Sequence, residues 1–445
     1  MLQYKRLLNL LFGVLALAAA LSFSACNLDD LDDPNNPSSS AIESNATLAE
    51  IQNVVDGIQS GMRNNLAIYY DGVGVIGREF YRFSGSDPRY TQDLLGGDDA
   101  VLDPGGFYTT NAFGSRYRVI RNCYILDNAV TNTSAVLTSE QRRAAAGFSK
   151  TIRAHELLLA FNQQWTNGIR TDVSDPDNLG PFIGENNPKD ALREIAAILE
   201  EGYADLQAGG ASFPFALRSG FDGFQTPADF GKFNRALLAR VQAYNENWDV
   251  VLQALGASFL DATGLVNGGV FYVYSIAGGD LLNEMYQSPT ATGEIRIVQP
   301  ANITDLEAGD DRQSKFFHRA DAPSQSGLSG EYGFAVYASN TDPIPVIRNE
   351  ELILLFAEAN IQKGGAGLTT GKDALNVVRA LHNLGPTAAA TQAELIDEML
   401  EQRRYSLYGE GHRWVDMRRY GRLSQLPIDR PGDDVWEKFP RPSNE

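Results

Sequence analysis

Few residues in this chain are spaced for catalysis. His155-Glu156 opens like the helix of a zinc-dependent protease, whose two histidines sit four apart to share one metal, but the fourth residue after His155 is Leu159. His155 falls instead on an apolar stripe with Phe148, Ile152 and Leu159, the setting of a core histidine. Residues 366–373, AGLTTGKD, imitate a phosphate loop but put Ala366 where the first glycine belongs and Asp373 where a hydroxyl should meet magnesium. No G-x-S-x-G elbow occurs, and Cys123 has no histidine near it in sequence, so it reads as a small core residue. Asp98-Asp99 and Asp310-Asp311 lie in no EF-hand loop and read as solvated turns. Aspartates are numerous enough for two to flank a glycosidic bond, but nothing in the sequence pairs them. The expectation is no catalytic centre, no metal ligand set and no cofactor.

The elements that must carry any site are helices. Thr47-Leu-Ala-Glu50 has the form of a capping box, and Leu48, Ile51, Val55, Ile58 and Met62 follow at alternating three and four spacing. Further stripes run Phe148 to Leu159 and then, behind Asn187-Pro188, Leu192, Ile195, Leu199, Tyr203 and Leu206. Others are Leu237, Val241, Tyr244, Trp248; Leu352, Leu355, Phe356, Ala359; the stretch 373–384; and a helix opened by the capping box Thr391-Gln-Ala-Glu394. Short strands are expected near 270–274 and 295–298. Helices of this length in pairs suggest antiparallel hairpins of the helical-repeat kind, although no fixed 34-residue period is visible. Between them, residues 67–118, 166–186, 210–230 and 262–345 read as long loops rich in Gly, Asp and aromatics.

Composition narrows the function. The chain has 445 residues, 43% apolar and 10% aromatic, with 37 Lys plus Arg against 56 Asp plus Glu, a net charge of −19. It can bury a sizeable core, and its acidic surface repels phosphate backbones, which excludes nucleic acid. Lys5 and Arg6 precede an apolar run from Leu7 to Leu21, too short to span a bilayer at about 20 residues, and LSFSA then leads to Cys26. This order resembles a bacterial lipobox, with residues 1–25 as signal peptide and Cys26 as the lipidated first mature residue. Residues 26–45, with Asp29, Asp30, Asp32 and Asp33 among prolines and serines, read as an acidic tether. Residues 46–445 form the body.

The C-terminal third resembles a known family. VIRNEELILLFAEANIQKG (346–364), ALNVVRALHNLG (374–385) and LEQRRYSLYGEGHRWVDMRRYG (400–421) are similar to motifs of the SusD/RagB family of outer-membrane nutrient-binding lipoproteins. In the last motif Arg403, Arg404, Leu407, Glu410, Gly411, Arg413, Asp416, Arg419 and Gly421 match, while Gln402, Ser406 and Met417 depart from the pattern. Arg413 and Asp416, three apart, can pair with each other or with Glu410; these residues read as packing and ion pairs within the scaffold. Gly411 reads as a turn or a close approach between helices. The resemblance implies a mostly α protein, a tetratricopeptide-like scaffold of four helical hairpins with long irregular ligand-binding loops. It implies a surface-exposed, lipid-anchored outer-membrane protein that binds an oligosaccharide or a peptide oligomer and delivers it to a SusC-like TonB-dependent barrel, without catalysis. Alternatives are a helical-repeat scaffold for proteins alone, or a secreted glycan hydrolase.

If the ligand is a sugar, its apolar ring face stacks on aromatics. Tyr69, Tyr70, Phe80, Tyr81, Phe83, Tyr90, Phe107 and Tyr108 crowd residues 67–118, and Tyr272, Tyr274 and Tyr286 the stretch 268–290. One stacked ring contributes on the order of 1 kcal/mol, whereas micromolar binding needs roughly 8 kcal/mol, so several groups must converge. Gly85, Ser86 and Pro88 favour an exposed turn, which makes Tyr81, Phe83 and Tyr90 the preferred contacts. Arg89, Tyr70, Tyr108 and Tyr286 complete the candidate set.

Overall fold

The computed structural model describes residues 38–264 and 268–445. The expected signal peptide, Cys26 and the acidic run after it lie outside the described residues. The body begins earlier than the sequence suggested. Ser38 caps helix α1 (Ser39–Asn45), its Oγ accepting from the Ala41 amide at 3.2 Å. Glu43 of α1 then meets Arg121 at 3.0 Å and Asn128 at 2.7 Å. The tether expected to reach residue 45 is therefore corrected: a capping serine and a paired glutamate fix residues 39–45 on the body.

Helix α2 (Leu48–Gly61) starts at the expected Thr47/Glu50 capping box and buries Ile51, Val55 and Ile58. Helix α3 (Leu66–Ile76) and strand β1 (Phe80–Ser84) follow, inside a stretch expected to be loop. All of α3 but Ile68 is buried, so it has no polar face to produce a 3.6-residue stripe. Residues 67–118 are corrected accordingly.

The scaffold is a row of helical hairpins. Helices α4 (Phe107–Asn132), α5 (Ser139–Gln164), α6 (Pro188–Gln207), α7 (Pro227–Tyr244) and α8 (Trp248–Gly256) each pack on the next. Helix α9 (Asn349–Lys363) packs on α8 and on α10 (Gly367–Leu381) and α11 (Gln392–Ser406), and α12 (Arg413–Arg419) closes the row. Trp248, expected at the end of the fourth stripe, opens α8 instead. Helices α5 and α6 come close at Gly147, where a Cβ would lie 2.6 Å from the Leu206 side chain and 2.9 Å from the Gly202 carbonyl. Capping boxes at Thr138/Gln141 and Thr391/Glu394 fix two helix starts, and Pro188 and Pro227 sit in the first turn of α6 and α7.

Strands fill the long 262–345 connection. Strands β4 (Gly269–Tyr272), β5 (Glu294–Val298), β6 (Phe316–His318), β7 (Tyr332–Phe334) and β8 (Ile344–Arg348) form two units. One is a four-stranded sheet in the order β1–β5–β7–β6, with Phe80 opposite Val298 and Ser84 opposite Glu294. The other is an antiparallel ribbon of β4 and β8, whose register shifts between Pro345 and Ile347, leaving Val346 as a bulge. A hairpin, β2 (Asn167–Arg170) with β3 (Phe182–Glu185), joins α5 to α6. Residues 430–445 then return across the body. Trp436 Nε1 donates to the Asp93 carbonyl at 2.9 Å, the Asp434 amide to Leu95 at 2.7 Å, and the Phe439 amide to Gln163 at 2.9 Å.

The C-terminal motif is a buried ion network. Asp416 accepts from Arg403 at 2.7 Å and Arg419 at 2.9 Å, and Arg419 also reaches Glu358 at 2.9 Å. The expected pairings of Arg413 with Asp416 or Glu410 are corrected, since Glu410 is held by Arg348 at 2.9 Å. Gly411 has φ +80°, and a Cβ there would lie 3.1 Å from the Tyr70 ring, so glycine is needed for both backbone and space. Asp310, expected in a solvated turn, is buried against Arg312 at 2.6 Å.

Among the described residues no cation comes within ion-pair distance of the buried Glu79 carboxyl, though Arg413 and Lys315 act on it from farther off. Glu79 Oε1 accepts the Gly409 amide at 2.9 Å, and burial pushes the carboxyl up to about 8. Its folded value lies above the ordinary 4.5, so the folded state holds the proton longer and stability falls as pH rises from about 4.5 to about 8. Glu79→Gln should remove that slope, gaining on the parent by a few kcal/mol in denaturant unfolding at pH 8–9 relative to pH 5. Parallel pH profiles for the two proteins would refute it.

Candidate binding cleft

The cleft is built on a turn. After α2 the chain turns at 62–65 with Asn65 left-handed at φ +53°, and this turn carries Arg63, Asn64 and Asn65. It is gripped from below. Arg116 of α4 donates to the Met62 carbonyl at 2.9 Å and the Asn64 carbonyl at 2.5 Å, and pairs with Glu156 of α5 at 2.8 Å. Neither charged side chain reaches solvent. Burial raises Glu156 to about 7 despite Arg116.

Two lobes open beside this turn. The larger, about 440 Å³, is lined by Asp56, Gln59 and Arg63, the turn 218–221, residues 271–275, Asp280 and Val346. The smaller, about 290 Å³, is lined by Asn64, Asn65, Arg118, Leu281, Leu282, Glu284 and Ile344. Arg63 and Tyr274 belong to both. Arg63 donates to the Val273 carbonyl at 2.6 Å, pairs with Asp280 at 2.7 Å, and sits 5.7 Å from the Tyr274 ring centroid. Asp56 holds Arg218 Nε at 2.9 Å. Leu282, in the smaller lobe, is 42% exposed.

The walls thus combine half-exposed aromatic faces (Phe271, Tyr274) with amides, hydroxyls and arginine–carboxylate pairs. That mix suits a neutral ligand rich in hydroxyl groups with apolar faces. Hydrolysis would need an activated nucleophile or a free acid and base. In the larger lobe Asp56 and Asp280 are each paired with an arginine, and His155, behind the wall, has its Nε2 on the Tyr272 hydroxyl at 2.7 Å. His155 is 2% exposed, as expected for a core histidine, and Cys123 is buried too. The group Asp310, Asp311 and His382 lies apart from this cleft, with both Asp310 oxygens on Arg312.

The aromatic platform expected at 67–118 is corrected. Gly85, Ser86 and Pro88 are exposed, but the rings beside them turn inward. Tyr81 and Phe83 are 3% and 4% exposed and stack on each other at 5.9 Å. Tyr90 packs edge-on against Phe107 at 5.0 Å, under the Arg82 guanidinium. Tyr70 is buried against Gly411, and Tyr108, buried, donates from its hydroxyl to Asp93 at 2.7 Å. Arg89 is held by Asp87 at 2.6 Å over the Phe107 ring. Tyr286 is half-buried and lines neither lobe. These aromatics pack the β1 sheet onto the helices; Tyr274 and Tyr272, from the second aromatic stretch, reach the cleft. Arg63, Asn64, Arg118 and Arg218 were not foreseen, and the sequence signal nearest to them was the turn-forming Asn64-Asn65 pair.

Residues 313–439 match the model of the SusD family. A SusD superfamily protein from Bacteroides vulgatus superposes with a TM-score of 0.66 over 89% of this chain and 96% of that one, at 14% identity. The fold is SusD-like. The same SusD-like fold recurs in a laminarin-binding SusD-like protein (TM-score 0.62, 16% identity, 89% and 96% covered). It recurs also in surface glycan-binding protein A from Bacteroides thetaiotaomicron, solved in complex with laminarihexaose (TM-score 0.64, 14% identity, 89% and 96% covered). No curated protein sequence matches this chain. No helix among the described residues is long and apolar enough to cross a membrane.

Proposed function

We propose that this SusD-like protein is a non-catalytic, cell-surface lipoprotein that binds an oligosaccharide in the Arg63–Tyr274 cleft and passes it to a SusC-like TonB-dependent transporter. The observation carrying the reading is the cleft itself, where Tyr274 offers a half-exposed ring flanked by Arg63, Asp280 and the side-chain amides of Gln59, Asn64 and Asn65. Such a ring takes the apolar face of a sugar while its neighbours bond the hydroxyls. The glycan-binding neighbours in fold support the ligand class, and the basic, apolar, small, Cys26 order supports lipid anchoring in the outer membrane.

Calorimetry against a panel of soluble β- and α-glucan, mannan and xylan oligosaccharides, laminarihexaose included, tests the reading. One ligand should bind, and Tyr274→Ala should weaken it at least tenfold while leaving the melting temperature within a few degrees. Absence of binding across the panel, or unchanged affinity in Tyr274→Ala, would overturn the assignment.

A further inference from the structure

Behind the cleft wall lies a third, much smaller chamber of about 20 Å³. Val346, the bulge residue of β8, lines both cavities, so the irregularity in the ribbon separates them. His155, Asn162 and His412 also line the chamber and are 2%, 5% and 8% exposed. Each has one buried polar atom without a protein partner: His155 Nδ1, Asn162 Oδ1 and His412 Nδ1. Three such orphans on one small chamber are uncommon, because an unmade buried hydrogen bond costs about 1–3 kcal/mol.

Proton counting identifies what fits. Burial drives His155 well below the ordinary imidazole range and His412 to about 3, so both rings are neutral and each carries one N–H. Among the described residues the buried Tyr272 hydroxyl has His155 Nε2 as its hydrogen-bond partner, at 2.7 Å, so its O–H donates there. Nε2 is then an acceptor and the His155 proton sits on Nδ1, a buried donor on a residue that lines the chamber. Asn162 Nδ2 donates to the Tyr69 hydroxyl at 3.2 Å, which leaves Oδ1 as a buried acceptor. An occupant must therefore accept from His155 and donate to Asn162. A metal ion or ammonium cannot accept, and a fully ionised anion cannot donate. About 20 Å³ is room for one water, which needs two to four polar partners.

We infer that the chamber is a binding site for a single ordered water, which accepts from His155 Nδ1, donates to Asn162 Oδ1 and meets His412 Nδ1. It backs the ribbon: through His155 it fixes the direction of the Tyr272 hydroxyl, whose ring forms part of the cleft wall. A crystal structure of the mature protein at atomic resolution is expected to show a density peak within about 3.2 Å of His155 Nδ1 and Asn162 Oδ1. A chamber without a peak, with the three side chains placed as here, overturns the inference. Nitrogen-15 spectra of the same protein should show His155 as the Nδ1–H tautomer, and the Nε2–H form would equally overturn it. In Asn162→Leu, which removes the acceptor and fills the space, the peak should vanish; its persistence would contradict the assigned donor role.

Discussion

Asp416→Ala is expected to cost about 3–5 kcal/mol of folding stability, the loss that follows when one member of a buried ion network is removed. Burial alone would raise the Asp416 carboxyl, but Arg403 and Arg419 outweigh it and hold it at about 2. Arg403 is 1% exposed and Asp416 2%, so the variant strands cationic charge where water cannot solvate it. Arg419 retains Glu358, which makes Arg403 the residue left worst off. The sign with pH follows. The folded carboxyl value lies below the ordinary 3.8, so its stabilisation is present above about pH 4 and fades as pH falls toward 2. Parent and variant should therefore converge in acid. Urea unfolding at pH 7 and pH 3 measures both; a loss under 1 kcal/mol at pH 7 would show that the network is not what holds α11 to α12.

Arg116→Met is expected to do damage of two separable kinds. It leaves Glu156 buried alone, at about 3–5 kcal/mol if the carboxylate stays charged. Because Glu156 already sits near 7, it can take up a proton, so the penalty should shrink below pH 7. The second kind concerns the cleft: the Met62 and Asn64 carbonyls lose their donor, and the turn bearing Arg63, Asn64 and Asn65 is released. Adding Glu156→Gln removes the stranded charge without restoring the grip. The double variant should recover most of the stability yet bind the panel's best oligosaccharide at least fivefold more weakly than the parent. Recovery of affinity along with stability would mean that Arg116 acts through the ion pair alone.

Much of the scaffold was legible because its helices are amphipathic and carry their own start signals. Thr47/Glu50 and Thr391/Glu394 form the capping boxes their spacing suggests, and the stripes behind Pro188 and near Leu352 fall on α6 and α9. Helix α3 was hidden by its near-complete burial. Helix α4 was hidden because polar Ser115 and Arg116 lie on its buried face, where apolar residues would be expected. The site was the least legible part. Tyr81 and Phe83 have the residue types of a sugar platform, but type does not say which way a ring turns. Strand β1 is covered on both faces, so a turn that is open at Gly85 and Ser86 exposes backbone rather than rings. Arg63 and Asp280 are far apart in sequence and meet only through the tertiary fold, which no local pattern encodes.

The returning segment at 430–445 also bears on the order in which the molecule can be assembled. Trp436 meets Asp93 across 343 positions of sequence, and Phe439 binds Gln163 at the end of α5 across a shorter but still long separation. During synthesis, the loop at 93–104 and the end of α5 emerge long before the residues that satisfy them, and closing so large a loop is entropically among the most expensive contacts available. Copies interrupted before position 430 would leave the Leu95 carbonyl without the Asp434 amide and the Asp93 carbonyl with the Gly96 amide alone, so this part of the body is completed only when the last residues arrive.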